Sequence, residues 1–327
     1  MLGPLFFLIH IADIDEEIKN ASISSFADDT RLVFKIKTSE DFQKMQNDLN
    51  LVYKWASSNN MKFNGDKFEH VRYGLTDLNT TYADPDGSII QMRSTVRDLG
   101  VLVSSSGKHH DQIKVVETNG RRMVAWVLRT FTTRKHLPLL TVYKSLILPI
   151  MEYCCQLWSP KALGLIRQLE GVQRLFTWKF EGLEQLNYWE RLSALNLYSL
   201  ERRRERYLVI YVWKMIRGLV TNEYEGREII QTYINSRRGL YCRIPELARA
   251  SSAIQTMKEN SFLVTGPRLF NCMPKNIRDH QGSLSSFKRQ LDKFLKEIPD
   301  KPSLPHYYQE AAGNSVIDQL SVMRTNN

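Results

Sequence analysis

Cysteine is scarce in this sequence, and the few cysteines lack the spacing of a metal site. The chain has four in 327 residues: Cys154, Cys155, Cys242 and Cys272. They include one adjacent pair and no C-x-x-C motif, which argues against a zinc knuckle, an iron-sulfur site and the disulfide framework of a secreted domain. We therefore expect an intracellular protein, nuclear or cytoplasmic.

Long hydrophobic runs are also missing. The apolar stretch MLGPLFFLIHI covers about eleven residues, whereas a membrane-spanning helix needs about 20. It has no basic region and no small-residue cleavage site, so it does not fit a signal peptide. We expect a core helix that begins at Pro4 and no membrane partner; membrane association through this stretch is a weaker alternative. An apolar core helix at residue 1 indicates that the beginning of its domain lies upstream.

Acidic residues are rare in one region of an otherwise balanced chain. Between Arg121 and Gly218 there are 17 lysines and arginines, 7 glutamates and no aspartate, a net charge of +10 that equals the formal charge of the whole chain. The other residues therefore sum to zero. A regional excess of this size favours a polyanionic partner.

The first part of the chain, residues 1–105, has the pattern of an α+β domain. Apolar residues recur at helical spacing from Phe42 to Ala56, after two candidate N-caps, Thr38 and Ser39. The segments MKFNGDKFEHVRYG and SIIQMRSTVRDLGVLVSSS have strand composition, with the turn sequence DPDG between them. These features predict an antiparallel sheet with helices packed on one face.

The remaining residues divide into three segments. Residues 106–222 are helical in period and basic, residues 223–300 are mixed and end in the charged helix SSFKRQLDKFLKEI, and residues 301–327 form a polar tail that we expect to be mobile. Five aromatic residues at helical spacing are expected in the core of the basic segment: Trp126, Tyr143, Trp158, Trp178 and Trp213.

Two adjacent carboxylates, Asp28 and Asp29, interrupt the strand-like stretch SISSFADDTRLVF. Neighbouring anions repel each other unless a cation or a set of donors compensates them. Aspartate is also common in hairpin turns, because it tolerates left-handed backbone angles. Spacing alone favours the simple turn over a metal site.

The order of these parts resembles that of the reverse transcriptases of non-LTR retrotransposons, in particular elements of the jockey and CR1 type. LGPLFFLIHIADI is similar to the end of that family's motif B, FADD to motif C, WASSNNMKFNGDK to motif D and RDLGVLVSSS to motif E. LILPIMEYCCQLWSP and RLFNCMPKNIRD are similar to sequences downstream of the polymerase core. The resemblance implies a truncated polymerase palm followed by an α-helical thumb-like domain.

The resemblance also implies roles for individual residues. Asp28 would be a direct ligand and Asp29 a supporting ligand of Mg²⁺ or Mn²⁺ in two-metal nucleotidyl transfer. Lys67 matches the motif D lysine that acts on the pyrophosphate, although without the resemblance a solvated lysine near a strand is the preferred explanation. Leu99 and Gly100 match the motif E turn that supports the primer end, and otherwise read as a simple hairpin.

The basic segment would be the thumb, which grips the duplex of RNA template and DNA primer through phosphates. Any single arginine is about as readily explained as part of a solvated helix face. The candidate nucleic-acid-binding residues are Arg121, Arg122 and Arg129 on one helix, and Arg202, Arg203, Arg204 and Arg206 on another.

Parts of such an enzyme are not found in this sequence. No stretch matches motif A, whose aspartate completes the metal site, nor the PQGS part of motif B. We therefore expect Mg²⁺ or Mn²⁺ to bind weakly or not at all, and deoxynucleotide incorporation to need a missing N-terminal polymerase half as partner. The alternative is a non-catalytic nucleic-acid-binding remnant, in which Asp28 and Asp29 are only a turn.

Overall fold

The chain divides between Lys108 and His109 into two units. The sequence places a boundary close by, at residues 105 and 106. The computed structural model describes residues 2–74, 81–224, 226–247, 252–300 and 313–325.

A long capped helix, α2 (Ser39–Ser58), organises the first unit. Its N-terminus is a capping box: Thr38 Oγ1 accepts the backbone N–H of Asp41 at 3.2 Å, and the Asp41 carboxylate accepts the N–H of Thr38 at 3.0 Å. The helix buries Leu49 and Val52, which the helical spacing places on one face.

The N-terminal helix, α1 (Gly3–Ile11), has Pro4 in its first turn and is apolar on all sides. It buries Ile11 against α2, while Phe6 and Ile9 are among its exposed side chains. The sequence predicts a core helix here. Among the described residues, however, only one face of the helix is packed, and its other apolar side chains are exposed. None of the described helices combines the length and the apolar character needed to cross a bilayer.

The strands of the first unit form separate pairs, where the sequence predicts one antiparallel sheet. Two pairs are antiparallel hairpins and one is a short parallel pair. Isolated pairs are marginal without packing, and here Ile23 and Leu32 pack against the cluster formed by α1 and α2. The pairs are β1 (Ser22–Phe26) with β2 (Asp29–Val33), β3 (Glu69–His70) with β4 (Gln91–Met92), and β5 (Thr95–Asp98) with β6 (Val101–Ser104).

The DPDG sequence forms the turn that its composition predicts. The backbone N–H of Gly87 donates to the carbonyl of Asp84 at 3.0 Å, and the N–H of Ser88 donates to the Asp84 carboxylate at 2.7 Å. Gly87 has a φ of +86°, which glycine adopts without steric penalty. Most of the MKFNGDK stretch, by contrast, is not strand: a short 3₁₀ turn spans Gly65–Lys67.

The second unit is mainly helical. A π-helical turn at Tyr143–Ile147 joins its second and third helices. The helices are α3 (His110–Thr130), α4 (His136–Val142), α5 (Leu148–Glu152), α6 (Cys155–Trp158), α7 (Leu163–Thr177), α8 (Tyr188–Ala194), α9 (Leu200–Ile216), α10 (Ser252–Asn260), α11 (Phe262–Cys272), α12 (Lys275–Arg278), α13 (Leu284–Glu297) and α14 (Val316–Thr325). Two short antiparallel pairs lie between α9 and α10: β7 (Glu223–Tyr224) with β8 (Arg227–Glu228), and β9 (Thr232–Asn235) with β10 (Gly239–Cys242).

Helix α9 shares its core with the segment that follows it. Trp213 stacks on Phe287 of α13 with ring centroids 4.4 Å apart, and Phe270 of α11 lies in the same buried cluster. The predicted segments 106–222 and 223–300 therefore belong to one packed unit, which the helical period of each segment does not reveal.

The C-terminal tail is expected to be mobile, but residues 313–325 depart from that prediction. Val316 is buried in the core beside α9, and its backbone N–H donates to the Glu205 carboxylate at 2.8 Å. The N-terminal part of the tail, residues 301–312, lies outside the described residues.

Candidate carboxylate hairpin and nucleic-acid interface

The segment that leads into the carboxylate hairpin is fixed by a buried side chain. Asp48 of α2 is fully buried, and its carboxylate accepts the backbone N–H groups of Asn20 at 2.8 Å and Ala21 at 2.7 Å. It also accepts the side-chain amide of Asn20 at 3.0 Å. This donor set holds the start of β1 against α2, and the role of Asp48 is one that the sequence analysis missed.

The hairpin presents Asp28 and Asp29 at an exposed tip. Phe26 pairs with Asp29, so Ala27 and Asp28 form a two-residue loop. Ala27 has a φ of +52°, in the left-handed region that tight hairpin loops use. Both carboxylates are exposed to solvent, and the neighbouring Phe26 ring is 68% exposed. The hairpin thus offers two adjacent carboxylates with little desolvation.

An ion pair joins the carboxylate hairpin to the second hairpin. Arg31 of β2 contacts Asp98 of β5 at 2.8 Å, and both side chains are partly exposed. Asp98 immediately precedes the turn formed by Leu99 and Gly100, whose φ values are +44° and +85°. Two consecutive positive φ values are typical of a type I′ hairpin turn. The structure therefore links the predicted motif C and motif E segments through their side chains.

The donor chemistry of the hairpin suits a divalent metal. Carboxylate oxygens are the ligands that Mg²⁺ prefers. Across the described ranges, however, no three His, Cys, Asp or Glu residues come together in a way that could hold a metal ion. Lys67 is exposed at the end of its 3₁₀ turn, and the structure records no contact between it and Asp28 or Asp29.

One face of α3 carries the first group of predicted arginines. Arg122 and Arg129 are exposed, and Lys114 lies on the same helical face. The opposite face buries apolar residues, among them Val116 and Val127. From Lys114 to Arg129 the basic face extends about 22 Å at the rise of an α-helix.

Arg121 differs from the other two, because it has internal partners. Its Nε donates to Glu117 at 2.7 Å, and the Glu117 carboxylate also accepts the side-chain amide of Gln168 on α7. Burial acts to raise the pKa of Glu117, but these hydrogen bonds and the Arg121 charge outweigh it and lower the pKa. Arg121 is thus the least available of the three for a phosphate.

Two of the five aromatic residues expected in the core are exposed. Tyr143, Trp158 and Trp213 are buried as predicted, whereas Trp126 is 46% exposed and Trp178 is 49% exposed. The helical spacing alone does not distinguish the two environments. The Lys179 ammonium lies 4.2 Å from the centre of the Trp178 ring, a cation–π contact at the surface.

The second group of predicted arginines, on α9, is buried or paired within the protein rather than free on a surface. Arg202 is completely buried and donates to the carbonyls of Leu295, Ile298 and Pro299 at 3.4, 3.3 and 2.9 Å. Arg203 forms a two-point ion pair with Glu152.

The two further arginines of α9 are also held inside the protein. Arg206 pairs with Asp292 at 2.5 and 2.7 Å. Arg204 is buried, and its guanidinium has no hydrogen-bond partner among the described residues. These arginines contact or face neighbouring elements because other helices pack around α9. The sequence of α9 alone does not indicate this packing.

The glutamates of α9 are buried in the same core. Burial raises the pKa of Glu201 to about 8, with a further contribution from Glu205 and an opposing one from Arg204. Burial likewise raises the pKa of Glu205 to about 7, although the hydrogen bond from Val316 works in the opposite direction. The interior of the second unit therefore contains carboxyl groups that hold protons near neutral pH.

The sequence is similar to a probable RNA-directed DNA polymerase from transposon X-element of Drosophila melanogaster, with 22% identity over 181 residues. The similar region covers 53% of this chain and 20% of that protein, so it spans about a fifth of the relative. Neither protein-family models nor solved structures give a match. The similarity supports a relationship to the reverse transcriptases of non-LTR retrotransposons.

Proposed function

We propose that this chain is part of an RNA-directed DNA polymerase of a non-LTR retrotransposon, starting within motif B and continuing through the thumb. The observation that carries the proposal is a pair of exposed carboxylates, Asp28 and Asp29, at the tip of a hairpin in a chain similar to a transposon polymerase. A rigid hairpin tip is a suitable support for metal ligands, because Asp48 and Arg31 fix its base and one edge.

In the complete polymerase, Asp28 would be a direct metal ligand and Asp29 a supporting one. Two Mg²⁺ ions in a complete site stabilise the attacking 3′ oxygen and the leaving pyrophosphate. Lys67 would neutralise the pyrophosphate, and the Leu99–Gly100 turn would support the primer end. We expect the chain on its own to be inactive, since no motif A aspartate is found among its residues to complete the metal site.

A metal titration tests the role of the carboxylates. A retained site, even a weak one, should raise the melting temperature of the wild-type chain at high Mn²⁺ concentration by mass action, and Asp28→Asn should abolish that rise. Asp86→Asn is the matched control, because Asp86 is an exposed aspartate in another turn of the same unit. An equal rise in Asp28→Asn would refute the assignment.

Primer extension tests the expected inactivity. With an RNA template, an annealed DNA primer, deoxynucleotides and Mg²⁺ or Mn²⁺, the chain alone should incorporate nothing above the Asp28→Asn background. Incorporation that Asp28→Asn removes would show that the site is complete in this chain.

The second candidate function is nucleic-acid binding without catalysis, and the exposed basic face of α3 favours it. Charges on such a face bind phosphates in a salt-dependent manner without reading sequence. We expect Arg122→Gln with Arg129→Gln to weaken binding of an RNA–DNA duplex and to lower its salt dependence. A chain that binds duplex but shows no Mn²⁺ effect on melting would be a remnant of this second kind.

A further inference from the structure

Helix α13 has two faces of opposite character. Its buried face contains Phe287, Leu291 and Leu295, which belong to the core of the second unit. The other face lines a shallow groove whose residues follow helical spacing. These residues are Ser285, Lys288, Arg289, Asp292, Lys293 and Lys296.

Four positive charges on this groove have no acidic partner. We call Lys288, Arg289, Lys293 and Lys296 the α13 basic stripe. Within the described part of the chain, the structure records no ion pair or hydrogen bond from any of these four side chains. Their charges are thus available to a ligand.

The acidic residue inside the stripe is already neutralised. Both carboxylate oxygens of Asp292 accept hydrogen bonds from Arg206 of α9, at 2.5 and 2.7 Å. Two-point pairs of this kind are among the stronger charge interactions in proteins. The groove consequently keeps the positive charge of the basic stripe, with Glu297 as an exposed acidic neighbour at the end of the helix.

The helix that carries the stripe is firmly held. Arg202 donates to carbonyls at and just beyond the C-terminal end of α13, and Trp213 stacks on Phe287. A fixed helix presents its charges at fixed spacing, so binding does not have to order the backbone. The stripe is therefore a preformed surface rather than a set of unrelated lysines.

We propose that the α13 basic stripe binds the phosphate backbone of nucleic acid. From Lys288 to Lys296 the stripe extends about 12 Å along the helix, which corresponds to about three phosphates of one strand at 3.4 Å per nucleotide. No aromatic or aliphatic residue lines the groove. The contact is thus with phosphates and carries no base readout. An anionic lipid surface fits less well, because membrane-binding helices insert apolar side chains next to their basic ones.

The α13 basic stripe is a second surface in addition to the α3 face. Its assignment to nucleic acid, rather than to another polyanion, rests on the proposed function. The α3 face belongs to the predicted thumb segment, whereas α13 lies in the segment to which the sequence assigns no role. The two surfaces are tested independently, since no residue belongs to both.

Binding of a fluorescent RNA–DNA duplex to the full chain, followed by anisotropy at several salt concentrations, tests the proposal. We expect Lys288→Gln, Arg289→Gln, Lys293→Gln and Lys296→Gln together to weaken binding about 10- to 100-fold at 0.1 M salt and to reduce the salt slope by about 2 to 4. The matched control removes four exposed arginines from other parts of the same unit: Arg227, Arg237, Arg243 and Arg268, each changed to Gln.

The proposal is overturned if the stripe variant and the control variant lose affinity and slope equally, because the effect is then one of net charge. It is also overturned if the stripe variant binds duplex as the wild type does. If, in addition, the variant with Arg122→Gln and Arg129→Gln loses binding, the proposed interface on α3 stands and the one on α13 does not. A stripe variant that loses binding to phosphatidylserine vesicles but keeps duplex binding assigns the surface to lipid instead. Absence of any duplex binding by the wild-type chain removes both interfaces.

Discussion

The buried carboxylate of Asp48 accepts the backbone N–H of Ala21 at 2.7 Å, one residue before the carboxylate hairpin begins. The two residues lie 27 positions apart in the chain. Asp48 accepts two backbone N–H groups at 2.8 Å or less, and both would lose their partner if the carboxylate were removed. Asp48 therefore fixes the entry to the hairpin, alongside the packing of Ile23 and Leu32 and the ion pair of Arg31.

Asp48→Ala should destabilise the first unit by about 1–3 kcal/mol, because the buried Asp48 carboxylate and its hydrogen bonds to Asn20 and Ala21 are lost. Hydrogen exchange of the peptide covering residues 19–33 should accelerate more than exchange in α9. Glu40→Ala removes an exposed ion pair with Lys44 in the same helix and should leave that exchange nearly unchanged. Equal exchange in Asp48→Ala and the wild type would contradict this role.

Leu99→Asn should stabilise the first unit by about 0.5–1 kcal/mol. Leu99 has a φ of +44°, and Asn tolerates the left-handed region better than Leu does. Gly100→Ala should act in the opposite direction by about 1 kcal/mol, since its φ is +85°. Urea unfolding of both variants measures the effect, and a destabilised Leu99→Asn would show that the Leu99 side chain contributes more than its backbone strain costs.

Arg202→Ala should lower the unfolding free energy of the second unit by about 2–4 kcal/mol, because three carbonyls lose a buried donor and a cavity is left. Arg122→Ala should change stability by less than about 0.5 kcal/mol, since Arg122 is exposed. Duplex binding at a temperature where both variants are folded should be weakened by Arg122→Ala. If Arg202→Ala weakened duplex binding without changing stability, Arg202 would contact the duplex and would not have the structural role assigned to it.

The second unit should become less stable as the pH rises from 4.5 toward 8. Glu205 has a pKa of about 7 against an ordinary value of 4.5, so the folded state keeps a proton that the unfolded chain has released. Its contribution is complete below pH 4.5 and is lost as the pH passes 7, a change of about 3 kcal/mol. Glu201, with a pKa of about 8, acts in the same direction.

Urea unfolding of the wild type and of Glu205→Gln at pH 5 and pH 8 measures this dependence. Glu205→Gln keeps an acceptor for the N–H of Val316 but cannot titrate, so its pH dependence should be smaller. The change should be smallest when Glu201→Gln is added. A double variant with the full wild-type pH dependence would place the titrating groups elsewhere.

Features stabilised by neighbouring residues could be predicted from the sequence. The capping box of α2 joins Thr38 and Asp41, three positions apart, and the DPDG turn closes between Asp84 and Gly87. The carboxylate hairpin also closes locally, with Phe26 opposite Asp29. In each case the residues that determine the conformation are present in the same short segment.

Features that depend on distant partners could not be predicted. Arg202 and Arg122 are both arginines on basic helices, yet the carbonyl acceptors of Arg202 lie 93 to 97 residues away. The α13 basic stripe had a detectable signal, since lysine and arginine recur there at helical spacing opposite an apolar face. That pattern does not show, however, that Arg206 neutralises the intervening Asp292.

The sequence is sufficient to predict the adjacent carboxylates, the hairpin that carries them and the regional excess of positive charge. Which charges face solvent and which are buried depends on the packing of the folded chain, because burial and hydrogen bonding involve elements far apart in the sequence. The arginines of α9 are buried or paired inside the protein, so the proposed nucleic-acid interface rests on the exposed faces of α3 and α13. A basic side chain can bind a phosphate only if no ion pair or hydrogen bond inside the protein already engages it. Folding determines which side chains have such partners.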